Sequence, residues 1–149
     1  MAIRHAAFRN RLQEARPLRS ELFPAADEKQ CVLVVDDERI ILDIVSNMLS
    51  CAGYRVVVAE GGFDAMDLFS EHSFDLVITD LNMPDLDGWN LAETIKERSP
   101  RTPVVLITGS IDTEIQGKDR PFDAVLFKPF TARELVKTVD GVLAEAPIR

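Results

Sequence analysis

The feature of this sequence that most constrains its fold is a repeated alternation between short apolar runs and segments with helical periodicity. Five runs are apolar almost throughout, which is typical of strands buried on both faces of a sheet. They are 31–35, 54–59, 76–79, 103–107 and 124–127. Between most of them, apolar residues recur every three or four positions, as on one face of a helix. Strands that alternate with helices predict a parallel sheet covered by helices on both faces.

Four helices are predicted between and after these strands, and two of them have recognisable end signals. The first runs up to Gly53, and the next two cover 62–72 and 89–98. The last begins after Thr131, where Glu134 completes a capping-box pattern.

Five strands in this arrangement predict a flavodoxin-like, doubly wound parallel sheet with strand order 2-1-3-4-5. The length of 149 residues suits one domain with a core large enough to fold unaided. We assign this domain to residues 31–145. Residues 1–30 are expected to form a basic N-terminal extension that is partly helical or mobile.

The charge of the chain is unevenly distributed. The formal net charge is −8, but residues 1–20 hold five arginines and one glutamate, a net +4, so residues 21–149 carry −12. An acidic body repels the phosphates of nucleic acids and of anionic lipids. We therefore expect cations and proteins as partners, with no nucleic acid and no membrane.

The cysteines and the hydropathy indicate a compartment. Cys31 opens an apolar run and Cys51 lies near the end of a predicted helix, so both are expected to be buried and reduced. No run reaches the roughly 18 apolar residues of a membrane span, and the N-terminus lacks the apolar core of a secretory signal. These patterns predict a cytoplasmic protein.

Polar residues follow four of the predicted strands. They are Asp36 and Asp37 after the first strand, Asp80 after the third, Thr108 after the fourth and Lys128 after the fifth. Sites in sheets of this order lie beyond the carboxyl ends of the first and third strands. Each residue alone could cap a helix, begin a turn or be a solvated charge. Together at one edge of the sheet they indicate a site.

Three carboxylates at one edge predict a cation site. Like charges in close contact disfavour simultaneous ionisation unless a cation is bound. The candidate ligands are hard oxygen atoms, which favour Mg²⁺ or Mn²⁺ over Zn²⁺ or Cu²⁺. Mg²⁺ is typically held by one or two carboxylates together with phosphate oxygens. The set is therefore suited to phosphoryl chemistry, with Asp80 as the nucleophile and Lys128 as a balancing charge.

The motifs at these strand ends closely resemble those of the receiver domain of two-component response regulators. The similar segments are Val34–Glu38, Asp80–Gly88, Ile107–Gly109 and Phe127–Phe130, within a stretch from about 31 to 143. No single motif is sufficient, but the four together are highly specific.

This resemblance implies that the protein is a phosphoacceptor. Asp80 would accept a phosphoryl group from a phosphohistidine on a histidine kinase or histidine phosphotransfer protein, in a Mg²⁺-dependent transfer. Asp37 and Asp80 would bind Mg²⁺ directly. Asp36 would bind it through a water molecule, and Asn82 through its backbone carbonyl.

The resemblance also implies a switch. Lys128 would pair with the phosphoryl group, Thr108 would turn towards it, and the Lys128–Pro129 bond would be cis. The changed surface would regulate a downstream protein. Such a module is not an enzyme in the usual sense, although it takes part in its own phosphotransfer and autodephosphorylation.

Two features depart from the family pattern. Val125 lies three residues before Lys128, where receivers usually carry Tyr or Phe. The segment 110–122 contains Gly117 and Pro121, which oppose a helix interior, so we expect a short, irregular or mobile helix there. Since this segment contributes to the family's commonest dimerisation face, a monomer or weak homodimer is predicted.

A stand-alone receiver that acts through protein contact is the leading interpretation, because no residue follows Arg149. The alternative is a pseudo-receiver, a protein-binding module that works without phosphorylation. A phosphatase of the haloacid dehalogenase type would need Asp-x-Asp after the first strand, where this chain has Asp36, Asp37 and Glu38. A flavin-binding role would need a phosphate-binding loop rich in Ser, Thr and Gly after that strand, and no such loop follows it.

Overall fold

The structure, a computed structural model, describes residues 29–110, 115, 117 and 119–146. Five parallel strands form one sheet: β1 (Cys31–Val35), β2 (Arg55–Ala59), β3 (Leu76–Asp80), β4 (Val104–Thr108) and β5 (Ala124–Phe127). Their order is β2-β1-β3-β4-β5, which confirms the predicted flavodoxin-like sheet. The extension predicted for residues 1–30 lies outside the described residues except for its last two.

Four helices are present in the part of the chain that the structure describes. They are α1 (Arg39–Cys51), α2 (Gly62–Glu71), α3 (Gly88–Arg98) and α4 (Ala132–Glu145). Gly53 follows α1 with a φ of 98°, the left-handed conformation that glycine adopts easily at a helix end. The capping box predicted for α4 is confirmed by reciprocal bonds between Thr131 and Glu134. No helix among the described residues is long and apolar enough to cross a membrane.

The helices cover both faces of the sheet. On one face α2 and α3 pack against Leu33 and Val35 of β1, and on the other α1 and α4 pack against Val32 and Val34. β1 is therefore buried along its whole length. Burying each aliphatic side chain contributes about 1.5–3 kcal/mol, whereas a buried, unpaired polar group is costly. Polar site residues are consequently favoured at strand ends rather than inside the apolar runs.

The expectation that both cysteines are buried is wrong for Cys51. Cys31 is buried and Cys51 is exposed, and no disulfide bond joins them. Cys51 lies two positions after the buried Leu49, a rotation of about 200° around the axis of α1. It therefore lies on the face of the helix away from the sheet.

The connection between β4 and β5 contains turns in its described residues. Ser110, Ile115, Gly117 and 119–122 belong to no helix, and the remaining positions of the segment lie outside the description. Ile115 is buried, and Arg120 donates a hydrogen bond to its carbonyl oxygen at 3.2 Å. The irregular structure expected between β4 and β5 is found at these described positions.

Candidate acidic site at the carboxyl edge of the sheet

Three carboxylates converge where β1 and β3 end. One oxygen from each of Asp36, Asp37 and Asp80 lies within 4.8 Å of the other two. Asp36 is 2% exposed and Asp80 is 9% exposed, whereas Asp37 is exposed to solvent. The sequence prediction that these three residues meet at one edge matches this geometry.

The register of the sheet explains why these residues meet. Val35 of β1 pairs with Thr79 of β3, so the next residues, Asp36 and Asp80, lie side by side at the carboxyl ends of the two strands. The backbone N–H of Asp36 donates to Ala59 of β2 at 3.2 Å, which continues the strand pairing by one residue. The adjacent aspartates are therefore a consequence of parallel strands that end together.

Lys128 brings the positive charge to the cluster. Its Nζ lies 3.4 Å from Oδ1 of Asp80, and its side chain is 28% exposed. Its backbone N–H donates to the carbonyl oxygen of Thr108 at 2.9 Å, which joins the ends of β4 and β5. The Lys128–Pro129 bond is cis, as expected.

Thr108 lies at the same edge but forms a local hydrogen bond. It is 1% exposed, and its Oγ1 accepts from the backbone N–H of Ser110 at 3.1 Å. In the register of β3 and β4, Asp80 pairs with Ile107, so Thr108 is one residue beyond that position. The hydroxyl of Thr108 therefore lies at the same end of the sheet as Asp80 and is hydrogen-bonded within the loop that follows β4.

The aromatic side chains near the site differ in exposure. Phe127 is 38% exposed, whereas Phe122 is buried and packs edge to face on Trp89 with ring centroids 5.5 Å apart. Val125 is half-buried and packs on the core between the sheet and the two helices α2 and α3.

The loop from Leu81 to Asp87 carries Asn82, which is exposed. Asp87 caps α3 by accepting from the backbone N–H of Asn90 at 2.8 Å. Gly88 packs so closely on β3 that a Cβ there would lie 2.1 Å from the backbone oxygen of Asp80. Glycine is required at this position because the loop folds back onto the end of the strand.

Asp85 is a residue of this loop that sequence reasoning missed. Its carboxylate accepts from the backbone N–H groups of Gly62 and Phe63 at the start of α2. The only sequence signal is indirect: α2 begins at Gly61–Gly62, which offers no capping side chain of its own.

Burial dominates the electrostatics of the cluster. It raises the pKa of Asp36 to about 6, with Asp80 and Asp37 adding to the effect, while the backbone N–H of Glu38 and the charge of Lys128 oppose it. Burial likewise raises the pKa of Asp80, against the opposing charge of Lys128. One ammonium group thus compensates incompletely for three carboxylates. Converging hard oxygens with unbalanced negative charge fit a Mg²⁺ or Mn²⁺ ion.

We predict that Asp36→Asn stabilises the metal-free protein at pH 7 by about 1–3 kcal/mol, because it removes a buried charge. The pKa of Asp36 is raised on folding, so its stability contribution is present below about pH 4 and lost as the pH rises through about 6. Chemical denaturation at pH 4 and pH 7, without metal, measures the difference between wild type and variant.

Addition of Mg²⁺ is expected to raise the free energy of unfolding of the wild type more than that of Asp36→Asn. Asp43→Asn is the matched control, since Asp43 is exposed on α1 and pairs only weakly with Arg39 at 3.8 Å. A metal-free Asp36→Asn variant that is less stable than wild type at pH 7 would contradict the electrostatic interpretation.

Comparison with known proteins relates most of the described fold to one family. Residues 32–140 match the family model described as the response regulator receiver domain. The chain is 37% identical over 119 residues to a probable transcriptional regulator, ycf27, of Guillardia theta. The matched region covers 78% of this chain and 46% of that protein. It spans about half the length of the curated ycf27 relatives that it matches.

Solved structures give the same relationship. Chemotaxis protein CheY4 of Vibrio cholerae superposes with a TM-score of 0.73 and 33% identity, over 77% of this chain and 99% of that chain. Response regulator protein TrrA of Thermotoga maritima, solved in complex with Mg(2+)-BeF, gives a TM-score of 0.70 and 29% identity, over 76% and 98%. The matched part of this chain therefore corresponds to nearly all of both proteins.

Proposed function

Because the chain belongs to the response regulator receiver family of two-component signalling, we propose that Asp80 is its phosphoacceptor. The donor is a phosphohistidine on a histidine kinase or a histidine phosphotransfer protein. The observation that carries this proposal is the position of Asp80, which lies in a cluster of three carboxylates with the ammonium group of Lys128 3.4 Å away.

The site is proposed to bind Mg²⁺, with Mn²⁺ able to replace it. Asp37 and Asp80 would bind the ion directly, Asp36 would bind it through a water molecule, and Asn82 would contribute its backbone carbonyl. When bound, Mg²⁺ neutralises charge on the phosphoryl oxygens and on the carboxylates. The convergence of hard oxygen ligands supports this assignment, as does the Mg(2+)-BeF complex of the similar TrrA.

Transfer is a displacement at phosphorus. A carboxylate oxygen of Asp80 forms the new bond to phosphorus while the bond from phosphorus to the histidine nitrogen breaks, and that nitrogen retains the electron pair. Lys128 balances the charge on the phosphoryl oxygens during the transfer. Packing of Gly88 on the backbone of Asp80 holds the acceptor at the end of β3 and limits the reorganisation that the reaction requires.

Phosphorylated Asp80 carries about −1.5 to −2 charges in place of the single negative charge of its carboxylate, together with the phosphoryl oxygens as strong hydrogen-bond acceptors. The hydroxyl of Thr108 then leaves the backbone N–H of Ser110 and donates to a phosphoryl oxygen, which shifts the loop after β4. The changed surface regulates a downstream partner. The site also promotes hydrolysis of its own acyl phosphate, so the protein turns over phosphate without being a conventional enzyme.

The downstream partner is proposed to be a protein. The comparisons do not support the expectation that nucleic acid is excluded from the output. Several relatives are named probable transcriptional regulators, and the chain spans only about half of their length. Within the described residues, the acidic site itself favours cations and phosphoryl groups rather than a nucleic acid backbone.

The proposal is tested by incubating the full chain with acetyl phosphate, with and without Mg²⁺, and recording intact mass. One phosphoryl adduct is expected in Mg²⁺ and almost none after removal of the metal by EDTA. Hydroxylamine is expected to remove the adduct, since it cleaves acyl phosphates and spares phosphoserine and phosphothreonine. A protein that binds Mg²⁺ and takes up no phosphate would instead be the pseudo-receiver, a phosphorylation-independent binding module.

A further inference from the structure

The helix α2 begins without a cap of its own. The residue before it is Gly61, which has no side chain to accept hydrogen bonds from the exposed N–H groups of the first turn. Two of these groups are instead bound by a residue 22 or 23 positions away in the sequence. The N–H of Gly62 donates to Oδ1 of Asp85 at 3.2 Å, and the N–H of Phe63 donates to Oδ2 at 3.0 Å.

The glycine pair at the start of α2 is in close contact with the loop that carries Asp85. A Cβ at Gly61 would lie 2.8 Å from Oδ2 of Asp85, and a Cβ at Gly62 would lie 2.7 Å from the backbone oxygen of Leu86. Gly61 has a φ of −177°, an extended conformation open to any residue. Close approach of the loop, rather than backbone conformation, therefore accounts for glycine at this position.

The same loop is held at its other end by Gly88. The N–H of Gly88 donates to the carbonyl oxygen of Leu81 at 2.8 Å, which closes the loop on the end of β3. The exposed Asn82 lies between this closure and the contact of Asp85 with α2. The segment that carries Asn82 is therefore attached on both sides.

The carboxylate of Asp85 is suited to this role. Burial alone would raise its pKa, but the backbone N–H groups of Phe63, Leu86 and Gly62 outweigh that effect and lower the pKa below its usual value. Asp85 is therefore ionised at neutral pH, and a negative charge at the N-terminus of a helix is stabilising. Both of its oxygens are engaged with α2.

We infer that Asp85 is a positioning residue for the Mg²⁺ site: it caps α2 and thereby fixes the loop whose Asn82 carbonyl completes the metal ligands. This inference rests on the proposed function, which supplies the ion and the role of Asn82. Asp85 acts through the backbone of the loop and does not itself bind the ion.

The test compares the Mg²⁺ dissociation constant of the full chain with that of Asp85→Ala by isothermal titration calorimetry. Residues that orient metal ligands typically change affinity by about 10–100-fold when removed, so we expect Kd to rise about 10-fold. Amide hydrogen exchange at Gly62 and Phe63 is expected to become faster in the same variant. Asp85→Asn keeps one acceptor oxygen and is expected to show a smaller rise in Kd.

The control is Asp75→Ala. Asp75 also accepts a hydrogen bond from a backbone N–H, that of Cys31, at 2.8 Å. It lies at the amino ends of β1 and β3, whereas the acidic site lies at their carboxyl ends. Its loss is expected to lower stability without changing the Kd for Mg²⁺. If Asp85→Ala does not fold, Asp85→Asn takes its place, because the amide has nearly the same shape.

The possible results separate this inference from the proposed function. A Kd that is unchanged although exchange at Gly62 becomes faster would overturn the role of Asp85. A wild-type protein that binds Mg²⁺ but takes up no phosphate would overturn the proposed function, and the comparison of Kd values would still decide the role of Asp85. A wild-type protein that binds no Mg²⁺ would overturn both.

Discussion

Replacing Asp80 with asparagine is expected to abolish Mg²⁺-dependent uptake of phosphate from acetyl phosphate. The amide has nearly the shape of the carboxylate but is a very weak nucleophile, so loss of activity reports on chemistry rather than on packing. The substitution also removes one of three clustered negative charges, so the variant is expected to unfold at a higher denaturant concentration than wild type without metal. Intact mass and denaturation on the same preparation measure both effects.

Asp75→Asn is the matched control for this prediction. Asp75 immediately precedes β3 and Asp80 ends it, so the two aspartates lie at opposite ends of one strand. Asparagine at position 75 keeps an acceptor for the N–H of Cys31, and phosphate uptake is expected to be unchanged. If circular dichroism shows that Asp80→Asn is folded and the variant still takes up phosphate as wild type does, the phosphoacceptor is another residue.

Replacing Lys128 with alanine is expected to slow phosphate uptake by about 100-fold or more. Removing one preorganised donor aimed at developing charge commonly costs about 100–1,000-fold in rate. Affinity for Mg²⁺ is expected to be retained or to increase, because the three carboxylates remain while a competing cation 3.4 Å from Asp80 is lost. Stopped-flow measurement of the adduct, together with calorimetry of Mg²⁺ binding, separates the two effects.

Lys96→Ala controls for the loss of a lysine in an ion pair. Lys96 lies 2.6 Å from Asp123, closer than Lys128 lies to Asp80, but it is on α3 and remote from the acidic site. Its loss is expected to leave the rate of uptake unchanged. Lys128→Arg is expected to be intermediate, since a planar guanidinium cannot reproduce the position of a compact ammonium group. A normal rate in Lys128→Ala would remove Lys128 from the mechanism.

The fold could be predicted largely because each buried strand has a local signature. The run at 31–35 is apolar on both faces since β1 packs between two helical layers, and such a run is typical of a strand buried in this way. The capping box at Thr131 was equally predictable, because its two partners are three residues apart. The order of the strands followed from their number and from crossover handedness rather than from any single residue.

The acidic cluster was predictable because its members lie at the carboxyl ends of strands or directly after them. Asp36 and Asp80 need only the strand order to bring them together, and the register confirms that they are side by side. The capping role of Asp85 was not predictable in this way. Its partners, Gly62 and Phe63, are brought to it only by the packing of the loop on α2.

Other details also depend on tertiary contacts. The hydrogen bond from the backbone N–H of Ser110 to Oγ1 of Thr108 could not be predicted from a strand-end motif. It is the hydrogen bond that Thr108 would lose in the proposed switch. The exposure of Cys51 follows from the exact rotation of the last turn of α1, which a helix-end prediction does not specify.

Chemical mapping of the phosphorylated residue tests the central claim most directly. Borohydride reduces an aspartyl phosphate to homoserine, so the wild-type protein is phosphorylated in Mg²⁺, reduced, digested and sequenced by tandem mass spectrometry. We expect homoserine at position 80 and intact aspartate at positions 36 and 37. Homoserine at position 36 or 37, or none at any position in a protein that carries a phosphoryl adduct, would contradict the assignment of Asp80 as the phosphoacceptor.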